Sequence, residues 1–448
     1  MSAESGVKTA VSPVDAQKIG SVKATANPGD LLDSLDIDWS TSTQSAANLL
    51  YAASQLKHSD IPVAFPTETV YGLGADATRS AAVRGIYKAK QRPVDNPLIV
   101  HFSSLQQLRD LLRSEGGTQR NGISSTTSDA DSIPRIYHPL ISRFWPGPLT
   151  IILPNPPNSP LAPEVTAGLS TFGARMPRHV LALALIQKAG VPVAAPSANA
   201  STKPSPTAAE HVAHDLDGRI ETIIDGGPCD VGVESTVVDG LSDPPLILRP
   251  GGISIEQLRS CAGWENVQIG YKNSAEGGSQ PKAPGMKYRH YSPKATVVLY
   301  EAGKAPPTLE ALETYVASSR RIGVITTKSW VVDESTGSMR ADRGHSTENP
   351  NGVHTEEDTP GFRGMLKALH STPTPRAAMK SHSLQLGGSP LQLLEISLGP
   401  STAKIARGIF AALRELDRED VDAIFVEGID ENEVMNRLRK AAEIKISP

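Results

Sequence analysis

Apolar positions between residues 43 and 260 follow two alternating patterns, one with the spacing of a helix and one of short continuous runs. The helical spacing predicts helices over 45–58, 80–90 and 179–189. The apolar runs, each bounded by turn residues, predict strands over 61–66, 97–102, 149–153, 192–196, 222–225, 235–239 and 246–249. Helices and strands that alternate in this way indicate an α/β or α+β domain with a large mixed sheet.

A second, smaller unit follows a polar stretch over residues 270–282. In the segment 401–419, apolar residues recur at steps of 4, 4 and 3 from Ile405 to Leu416, which places them on one face of a helix. The predicted strands of this unit are 295–300, 321–326, 393–398 and 422–427. Strands separated by helices predict a small α/β domain with a parallel sheet.

Polar tracts flank or interrupt the two units. Residues 1–42 contain no Arg and carry several acidic residues, and we expect a disordered leader there. We expect a surface insertion over 114–132 and a disordered insertion over 328–390, with a short helix near 362–370. The predicted division of the chain is a first domain over 43–262, a linker over 263–293 and a second domain over 294–448.

The composition excludes several classes of protein. The chain has 448 residues, with 44 Lys and Arg against 48 Asp and Glu, and a formal net charge of −4. This balance is far from the basic excess of a general nucleic-acid binder, so any anion site has to be local. The two cysteines, Cys229 and Cys261, are too few for a disulfide framework or a cysteine zinc site, which favours a reducing compartment. No apolar run approaches the roughly 18 residues of a membrane span, and we expect a soluble chain.

Common motifs of nucleotide binding and hydrolysis do not occur in the sequence. No Gly-x-Gly-x-x-Gly follows a strand, and the Walker, zincin and serine-hydrolase motifs do not occur. Instead, small polar residues and cations follow the apolar strands in several segments, among them Lys90, Arg92, Arg175 and Arg249. Because strand ends converge in an open α/β sheet, we expect these cations to gather around one polyphosphate.

Five motifs occur in a fixed order along the first domain. They are Pro-Thr-Glu-Thr-Val-Tyr-Gly-Leu-Gly over 66–74, the Lys-x-Arg run from Lys90 to His101, Trp-Pro-Gly-Pro-Leu-Thr over 145–150, Ala-Pro-Ser-Ala-Asn over 195–199 and Glu-Ser-Thr-Val over 234–237. Together they resemble the motifs of the YrdC-like threonylcarbamoyl-adenylate synthases. The segment 283–293 is similar to the linker of the long, two-domain branch of that family. The resemblance implies a YrdC-like domain with a large twisted mixed sheet, followed by a smaller Rossmann-like parallel α/β domain.

The resemblance also implies a reaction. Members of this family make threonylcarbamoyl-AMP and pyrophosphate from L-threonine, bicarbonate and ATP, for the threonylcarbamoylation of adenosine in tRNAs that read codons beginning with A. The carbamate oxygen attacks the α-phosphorus in line, so positioning and charge neutralisation carry catalysis and no protein nucleophile is needed. Mg²⁺ is expected on the triphosphate, without metal ligands from protein side chains.

Each matching position acquires an implied role. The implied catalytic residues are Lys90, Arg92, Ser197 and Asn199. The implied L-threonine-binding residues are Thr69, His101, Arg175 and Ser235, with Arg175 as the partner of the carboxylate. The implied ATP-binding residues are Arg92, Asn96, Thr171, Ser197, Ser205, Arg249, Tyr288 and Ser292. We expect the linker to close over the nucleotide as a lid, in which the sequence does not separate Tyr288 and Ser292 from their neighbours His290 and Tyr291.

Several residues have a structural and a functional interpretation. Thr67, Glu68 and Tyr71 either organise their turn or contact substrate, and the sequence leaves both open. Trp145 is expected at a packing corner, and His211 is expected on a solvated helix face.

The expected partners are ATP, L-threonine and bicarbonate, with a functional link to the tRNA threonylcarbamoyltransferase complex, weak RNA binding and no membrane. We expect a cytoplasmic protein, and the sequence leaves open a separate mitochondrial form. One alternative is a carbamoyl-adenylate-forming enzyme of the same fold, whose zinc-finger portion two cysteines cannot supply. The other is a regulatory module that binds double-stranded RNA, although the near-neutral charge and an aromatic fraction of 4% give weak grounds for RNA recognition.

Overall fold

The computed structural model describes residues 7–25, 34–113, 131–271, 291–334, 336–341, 365–366, 369, 375–430 and 433–447. These residues form two α/β domains, each built around one large sheet. Of the insertion predicted over 114–132, only the last two residues are described, and of the linker predicted over 263–293, only 263–271 and 291–293. The predicted domain boundaries stay predictions.

The first domain contains the large mixed sheet that the apolar runs predict. Its strands are β1 (Ala10–Pro13), β2 (Gly20–Thr25), β3 (Ser34–Trp39), β4 (Val63–Phe65), β5 (Gly72–Asp76), β6 (Ile99–His101), β7 (Leu149–Pro154), β8 (Thr171–Arg175), β9 (Val193–Ala194), β10 (Thr222–Asp225), β11 (Thr236–Asp239), β12 (Leu246–Arg249) and β13 (Gln268–Ile269). Eleven of them form one sheet in the order β1-β10-β4-β5-β9-β6-β8-β7-β11-β12-β13, and β2 pairs with β3 separately. Neighbours such as β6 and β8 are parallel, whereas β5 and β9 are antiparallel.

Helices cover this sheet. They are α1 (Gln44–His58), α2 (Ser80–Lys90), α3 (Leu105–Leu112), α4 (His138–Phe144), α5 (Pro163–Thr166), α6 (Val180–Ala189), α7 (Ala209–Leu216) and α8 (Ile255–Arg259). Thr43 caps the N-terminus of α1, and its side-chain oxygen accepts a hydrogen bond from the Ala46 backbone N–H at 3.2 Å. α6 packs against α1, and every residue from Val180 to Ile186 is buried, which explains why this helix is apolar all round. None of the described helices is long and apolar enough to cross a membrane.

The prediction of a disordered leader over 1–42 is wrong for the described residues 7–25 and 34–42. β1 adds a parallel strand beside β10, and the Ala10 N–H donates to the Glu221 carbonyl at 2.8 Å. Val14 and Ile19 are buried in the core of the first domain. The leader is polar because only a few of its side chains face that core, and this sparse pattern resembles that of a disordered segment.

Substituting Ile19 by Ala tests the order of the leader directly. The side chain is 0% exposed, so the cavity that the substitution leaves is expected to lower the free energy of unfolding by about 3 kcal/mol. The matched control is Val11→Ala, since Val11 lies in the same segment but is 45% exposed. Urea unfolding of both variants measures the effect. Equal stability of Ile19→Ala and the wild type would show that the leader does not pack in solution.

The second domain contains a mostly parallel sheet. Its strands are β14 (Thr296–Tyr300), β15 (Arg321–Thr326), β16 (Trp330–Val332), β17 (Met339–Ala341), β18 (Met379–Leu386), β19 (Ser389–Ser397), β20 (Ala423–Glu427) and β21 (Ile444–Ile446), and its helices are α9 (Leu309–Glu313), α10 (Thr402–Arg418) and α11 (Glu433–Ala441). The strand order is β18-β19-β15-β20-β14-β21. The parallel neighbours confirm the predicted α/β class, and β18 is an antiparallel edge strand that the sequence pattern did not reveal.

The prediction of a disordered insertion over 328–390 is wrong for much of its described part. β16 pairs with β17, and β18 pairs with β19 over its whole length. The Trp330 indole N–H donates to the Lys304 carbonyl at 2.9 Å, which holds β16 against the domain. Residues 342–364 lie outside the described residues. Within the helix predicted near 362–370, Met365 and Leu366 are helical, and Met365 is buried against the core of the first domain.

The two domains pack closely against each other. Val70 and Val233 of the first domain share one apolar cluster with Ile405 and Phe410 of the second. Just before β11, a Cβ on Gly232 would lie 2.4 Å from the Cα of Arg407 in α10, and the φ of this glycine is +78°. Only glycine fits such a close approach with a positive φ. The first domain therefore presents bare backbone to α10.

Candidate active site

The strand ends of the first domain enclose a cavity of about 210 Å³. Its walls come from the turn between β4 and β5, the C-terminal end of α2, β6, β8, the loop after β9 and the end of β12, together with Tyr291. Nine residues predicted from the sequence line it: Thr69, Lys90, Arg92, Asn96, His101, Arg175, Ser197, Asn199 and Arg249. The structure thus brings the predicted cations together at one cavity. The role of each residue stays a prediction.

Lys90, at the end of α2, holds the loop that carries Ser197 and Asn199. Its Nζ donates to the carbonyls of Ser197 and Asn199 at 2.5 and 2.6 Å. The Ser197 hydroxyl in turn donates to Asn199 Oδ1 at 2.5 Å. The side chain of Lys90 is buried, and burial, reinforced by the nearby Arg92, lowers the pKa of its ammonium well below the usual value. Lys90 of the Lys-x-Arg motif therefore forms one hydrogen-bonded unit with the Ser-x-Asn motif.

Arg175, on β8, is fixed by the turn between β4 and β5. Its Nη2 donates to Glu68 Oε1 at 2.7 Å and to Thr69 Oγ1 at 2.9 Å, and its Nε donates to the Gly147 carbonyl at 3.3 Å. Glu68 is fully buried, and Thr67 bonds the Val70 carbonyl at 2.6 Å. Thus Glu68 holds Arg175 in place, which is an organising role that the sequence left open.

Several buried polar atoms of this site have no hydrogen-bond partner among the described residues. They are Glu68 Oε2, Arg92 Nη2, Asn96 Oδ1 and His101 Nδ1. All except Glu68 belong to residues that line the cavity. Because buried polar groups in folded proteins are almost always satisfied, these atoms mark where a polar ligand would bind.

His101 is held neutral by its surroundings. Burial, with a smaller contribution from the positive charge of Arg175, lowers the pKa of its imidazole from 6.5 to about 3. A neutral ring at physiological pH adds no charge to a cavity that five Lys and Arg side chains already line. It can instead accept or donate a hydrogen bond.

The ring of His101 is expected to stay neutral between pH 8 and pH 5. The pKa of the ring is about 3 in the folded chain and 6.5 in the unfolded chain. As the pH falls from 6.5 towards 3, the unfolded chain therefore binds a proton that the folded chain does not, and this group destabilises the fold. NMR of ¹⁵N-histidine-labelled protein measures the ring directly, with His101→Gln identifying its signals. A protonation midpoint above pH 5 would contradict the expectation.

Four other described residues of the predicted set do not line the cavity. Ser235 accepts a hydrogen bond from Arg249 Nη2 at 3.0 Å and bonds Thr150 Oγ1 at 2.8 Å, so it orients Arg249. Ser205 donates to Glu234 Oε1 at 2.5 Å, and the Ser292 N–H donates to the Thr202 carbonyl at 2.8 Å. Thr171 begins β8. Tyr288 lies outside the described residues.

Two further residues at the cavity are outside the predicted set: Glu234, which was missed, and Tyr291, which the sequence did not separate from Tyr288 and Ser292. Glu234 is buried at the wall, and Tyr291 stacks on Phe410 of α10 with 5.0 Å between ring centroids. Burial and the negative charge of Glu234 raise the pKa of the Tyr291 hydroxyl, which stays protonated. The motif Glu-Ser-Thr-Val contains Glu234, but an acidic side chain among cations gives no sequence signal for an anion site.

Trp145 and His211 are both buried, and neither is among the described residues that line the cavity. Trp145 is buried, and its indole N–H donates to the Leu149 carbonyl at 2.8 Å, so it packs a corner as predicted. The expectation for His211 is wrong, because its ring is buried and accepts from the Thr207 N–H at 3.2 Å. Burial lowers the pKa of this imidazole to about 3.

Comparisons with known proteins extend over most of the chain. A family model described as "Telomere recombination" matches residues 55–251, and one described as "Threonylcarbamoyl-AMP synthase, C-terminal domain" matches 253–443. A threonylcarbamoyl-AMP synthase of Schizosaccharomyces pombe is 44% identical over 88% of this chain and 88% of its own length. One of Bacillus subtilis is 42% identical over 87% of this chain and 92% of its own length.

A solved structure matches both domains. The crystal structure of Pyrococcus abyssi Sua5 complexed with L-threonine is 37% identical, with a TM-score of 0.62, and covers 89% of this chain and 96% of that chain. The fold, the cavity and these matches define a two-domain α/β enzyme of the nucleotidyltransferase type. The chain belongs to the threonylcarbamoyl-AMP synthase family.

Proposed function

We propose that this chain forms L-threonylcarbamoyl-AMP and pyrophosphate from L-threonine, bicarbonate and ATP. The observation that carries the proposal is the gathering of Lys90, Arg92, Arg175 and Arg249 at one cavity, in a chain that is 37% identical to a protein solved with L-threonine. One carboxylate and one triphosphate need several cations in a single site. A carbamoyl-adenylate-forming enzyme of the same fold would not need a cation for an amino-acid carboxylate.

The positions of the cations support separate roles for them in binding L-threonine and ATP. Arg175, fixed by Glu68, receives the carboxylate of L-threonine, while Lys90, Arg92 and Arg249 face the phosphates. The amine of threonine and bicarbonate combine to a carbamate with loss of water. A carbamate oxygen then forms a bond to the α-phosphorus as the bond to pyrophosphate breaks. In this scheme the protein contributes positioning and charge neutralisation, which together can supply most of the rate enhancement.

We further propose that Mg²⁺ enters on the triphosphate rather than on protein carboxylates. The carboxylates Glu68 and Glu234 are each paired with an arginine, at 2.7 Å from Arg175 and 3.1 Å from Arg437. A third carboxylate, Asp95, lines the cavity and accepts a hydrogen bond from Asn96 Nδ2 at 3.1 Å. The cavity therefore offers cations to phosphate oxygens, and bound Mg²⁺ would add neutralisation of phosphate charge. The adenylate would then serve tRNA threonylcarbamoylation by a separate transferase complex, and the proposed site of action is the cytoplasm.

Pyrophosphate release tests the proposal. The purified chain is incubated with ATP and Mg²⁺, and with L-threonine plus bicarbonate, carbamoyl phosphate, or neither. We expect release only with L-threonine plus bicarbonate, and mass spectrometry should identify threonylcarbamoyl-AMP. Release with carbamoyl phosphate alone would instead identify a carbamoyl-adenylate-forming enzyme. Binding of double-stranded RNA without any pyrophosphate release would identify a regulatory module.

A further inference from the structure

Two buried arginines of the second domain reach carboxylates of the first domain. Arg414 lies on α10 and Arg437 on α11, and their side chains are 5% and 1% exposed. Arg414 binds Asp215 with its Nη1 and Nη2 at 3.2 and 2.8 Å, and Arg437 Nε binds Glu234 Oε2 at 3.1 Å. The second domain therefore contributes charge to the interior of the first.

Glu234 connects Arg437 to the cavity. It lines the cavity wall, and its other oxygen, Oε1, accepts from Ser205 at 2.5 Å. A side-chain hydrogen bond with Glu234 also helps to raise the pKa of Tyr291. Burial raises the pKa of this carboxyl, but the positive charges of Arg437 and then Arg249 outweigh burial and keep the pKa below its usual value, so Glu234 is an anion. An anion beside a triphosphate site needs a compensating cation.

Stability alone is a weak explanation for the pair of Arg437 and Glu234. Burying two charges costs about as much as their attraction returns, and a well-packed apolar pair is often as stable. The domains are also held together without it, by Arg414 with Asp215 and by the apolar cluster around Phe410. Removing Arg437 alone leaves Glu234 buried without its nearest cation, so we expect a lower unfolding free energy, whereas these other contacts are expected to keep the domains folded and docked.

We propose that Arg437 is a positioning residue through which the second domain sets the affinity of the first domain for ATP. It holds Glu234 in place and neutralises it, so that the carboxylate orients Ser205 and Tyr291 without repelling the triphosphate. This inference rests on the proposed function, since it takes the Arg249 end of the cavity as the nucleotide end. A relative of Mycobacterium tuberculosis named putative threonylcarbamoyl-AMP synthase matches only 50% of this chain over 94% of its own length. A dependence of ATP affinity on the second domain would therefore be a property of the long form.

The test compares two arginines of the same helix. Arg437→Met is expected to raise the KM for ATP and the equilibrium Kd for ATP by about tenfold, the effect of losing one charge-assisted interaction, and to leave the KM for L-threonine unchanged. The matched control is Arg439→Met, because Arg439 binds Glu301 within the second domain at 2.8 Å. This control should keep wild-type values of all three constants.

A second variant separates charge balance from structure. In Glu234→Gln/Arg437→Met the unbalanced carboxylate is gone while Gln can still accept from Ser205, so ATP affinity should return most of the way to that of the wild type. Arg437→Lys should retain part of the affinity. If Arg437→Met lowers only kcat or Tm, or if the double variant binds ATP more weakly than the single variant, the inference is wrong. A wild type that binds ATP but releases no pyrophosphate would overturn the proposed function instead, and the binding arm would still test Arg437.

Discussion

Replacing Lys90 by Met is expected to slow threonine-dependent pyrophosphate release by at least about a hundredfold. The ammonium of Lys90 serves two purposes at once. It donates to the Ser197 and Asn199 carbonyls at 2.5 and 2.6 Å, and it places a positive charge at the cavity wall. Met has a similar length and no charge, so the substitution removes both contributions while it fills the same space. The rate is measured under saturating ATP and L-threonine, so that a change in kcat is seen.

Lys88→Met is the matched control for this variant. Lys88 lies on the same helix two residues earlier, and its side chain is exposed. It should keep the wild-type rate, because an exposed cation outside the cavity neither holds the loop nor meets the phosphates. Equal rates for Lys90→Met and the wild type would remove Lys90 from the catalytic residues. The thermal unfolding midpoint of each variant shows whether a loss of rate reflects a loss of fold.

The second large effect is expected on binding of L-threonine. In Glu68→Gln/Arg175→Met the KM for L-threonine should rise by about a hundredfold, because the carboxylate of L-threonine loses its charged hydrogen-bond partner. The KM for ATP should stay within about twofold, since only the Arg175 end of the cavity changes. Both residues are changed together because Arg175→Met alone would leave the carboxylate of Glu68 buried without its cation, at a cost of about 3 to 5 kcal/mol in stability.

The control for the threonine site is Arg178→Met. Arg178 is half-buried, lies three residues after Arg175 and is not among the described residues that line the cavity. Its loss should leave both KM values unchanged. If the double variant raised the KM for ATP and left that for L-threonine unchanged, the two ends of the cavity would have to be exchanged. Steady-state pyrophosphate release with one substrate varied at a time supplies all four constants.

Strand β5, which is absent from the strands predicted from the sequence, shows where local patterns fail. Residues 72–76 form β5, although Gly72 and Gly74 make the segment look like a loop. A Cβ on Gly74 would lie 2.7 Å from the ring of Phe65 and 2.8 Å from Val193 Cγ1. The glycines are there because side chains of the neighbouring strands β4 and β9 occupy their space. That reason is a tertiary contact, which no local pattern contains.

The candidate site also contains residues that the sequence could predict and a pair that it could not. Lys90 was predictable because it belongs to a recognisable motif, and Arg175 because it is one of the cations that follow the apolar strands. The pairing of Glu234 with Arg437 was not, since 203 positions separate the two residues and neither looks unusual in its own segment. Charges that interact only across two folded domains leave no trace in local composition. Motifs therefore identified the chemistry, whereas the electrostatic balance needed the structure.

The first strand, β1, forms one edge of the eleven-stranded sheet. β1 has four residues, ends at Pro13 and covers β10, whose residues Thr222 to Ile224 are buried. Short edge strands with proline are poor templates for pairing with another chain. A chain shortened beyond Pro13 would present the unpaired backbone of β10, a β-branched and apolar strand, at the edge of an eleven-stranded sheet. We therefore expect the N-terminal segment to limit intermolecular β-sheet formation at this edge.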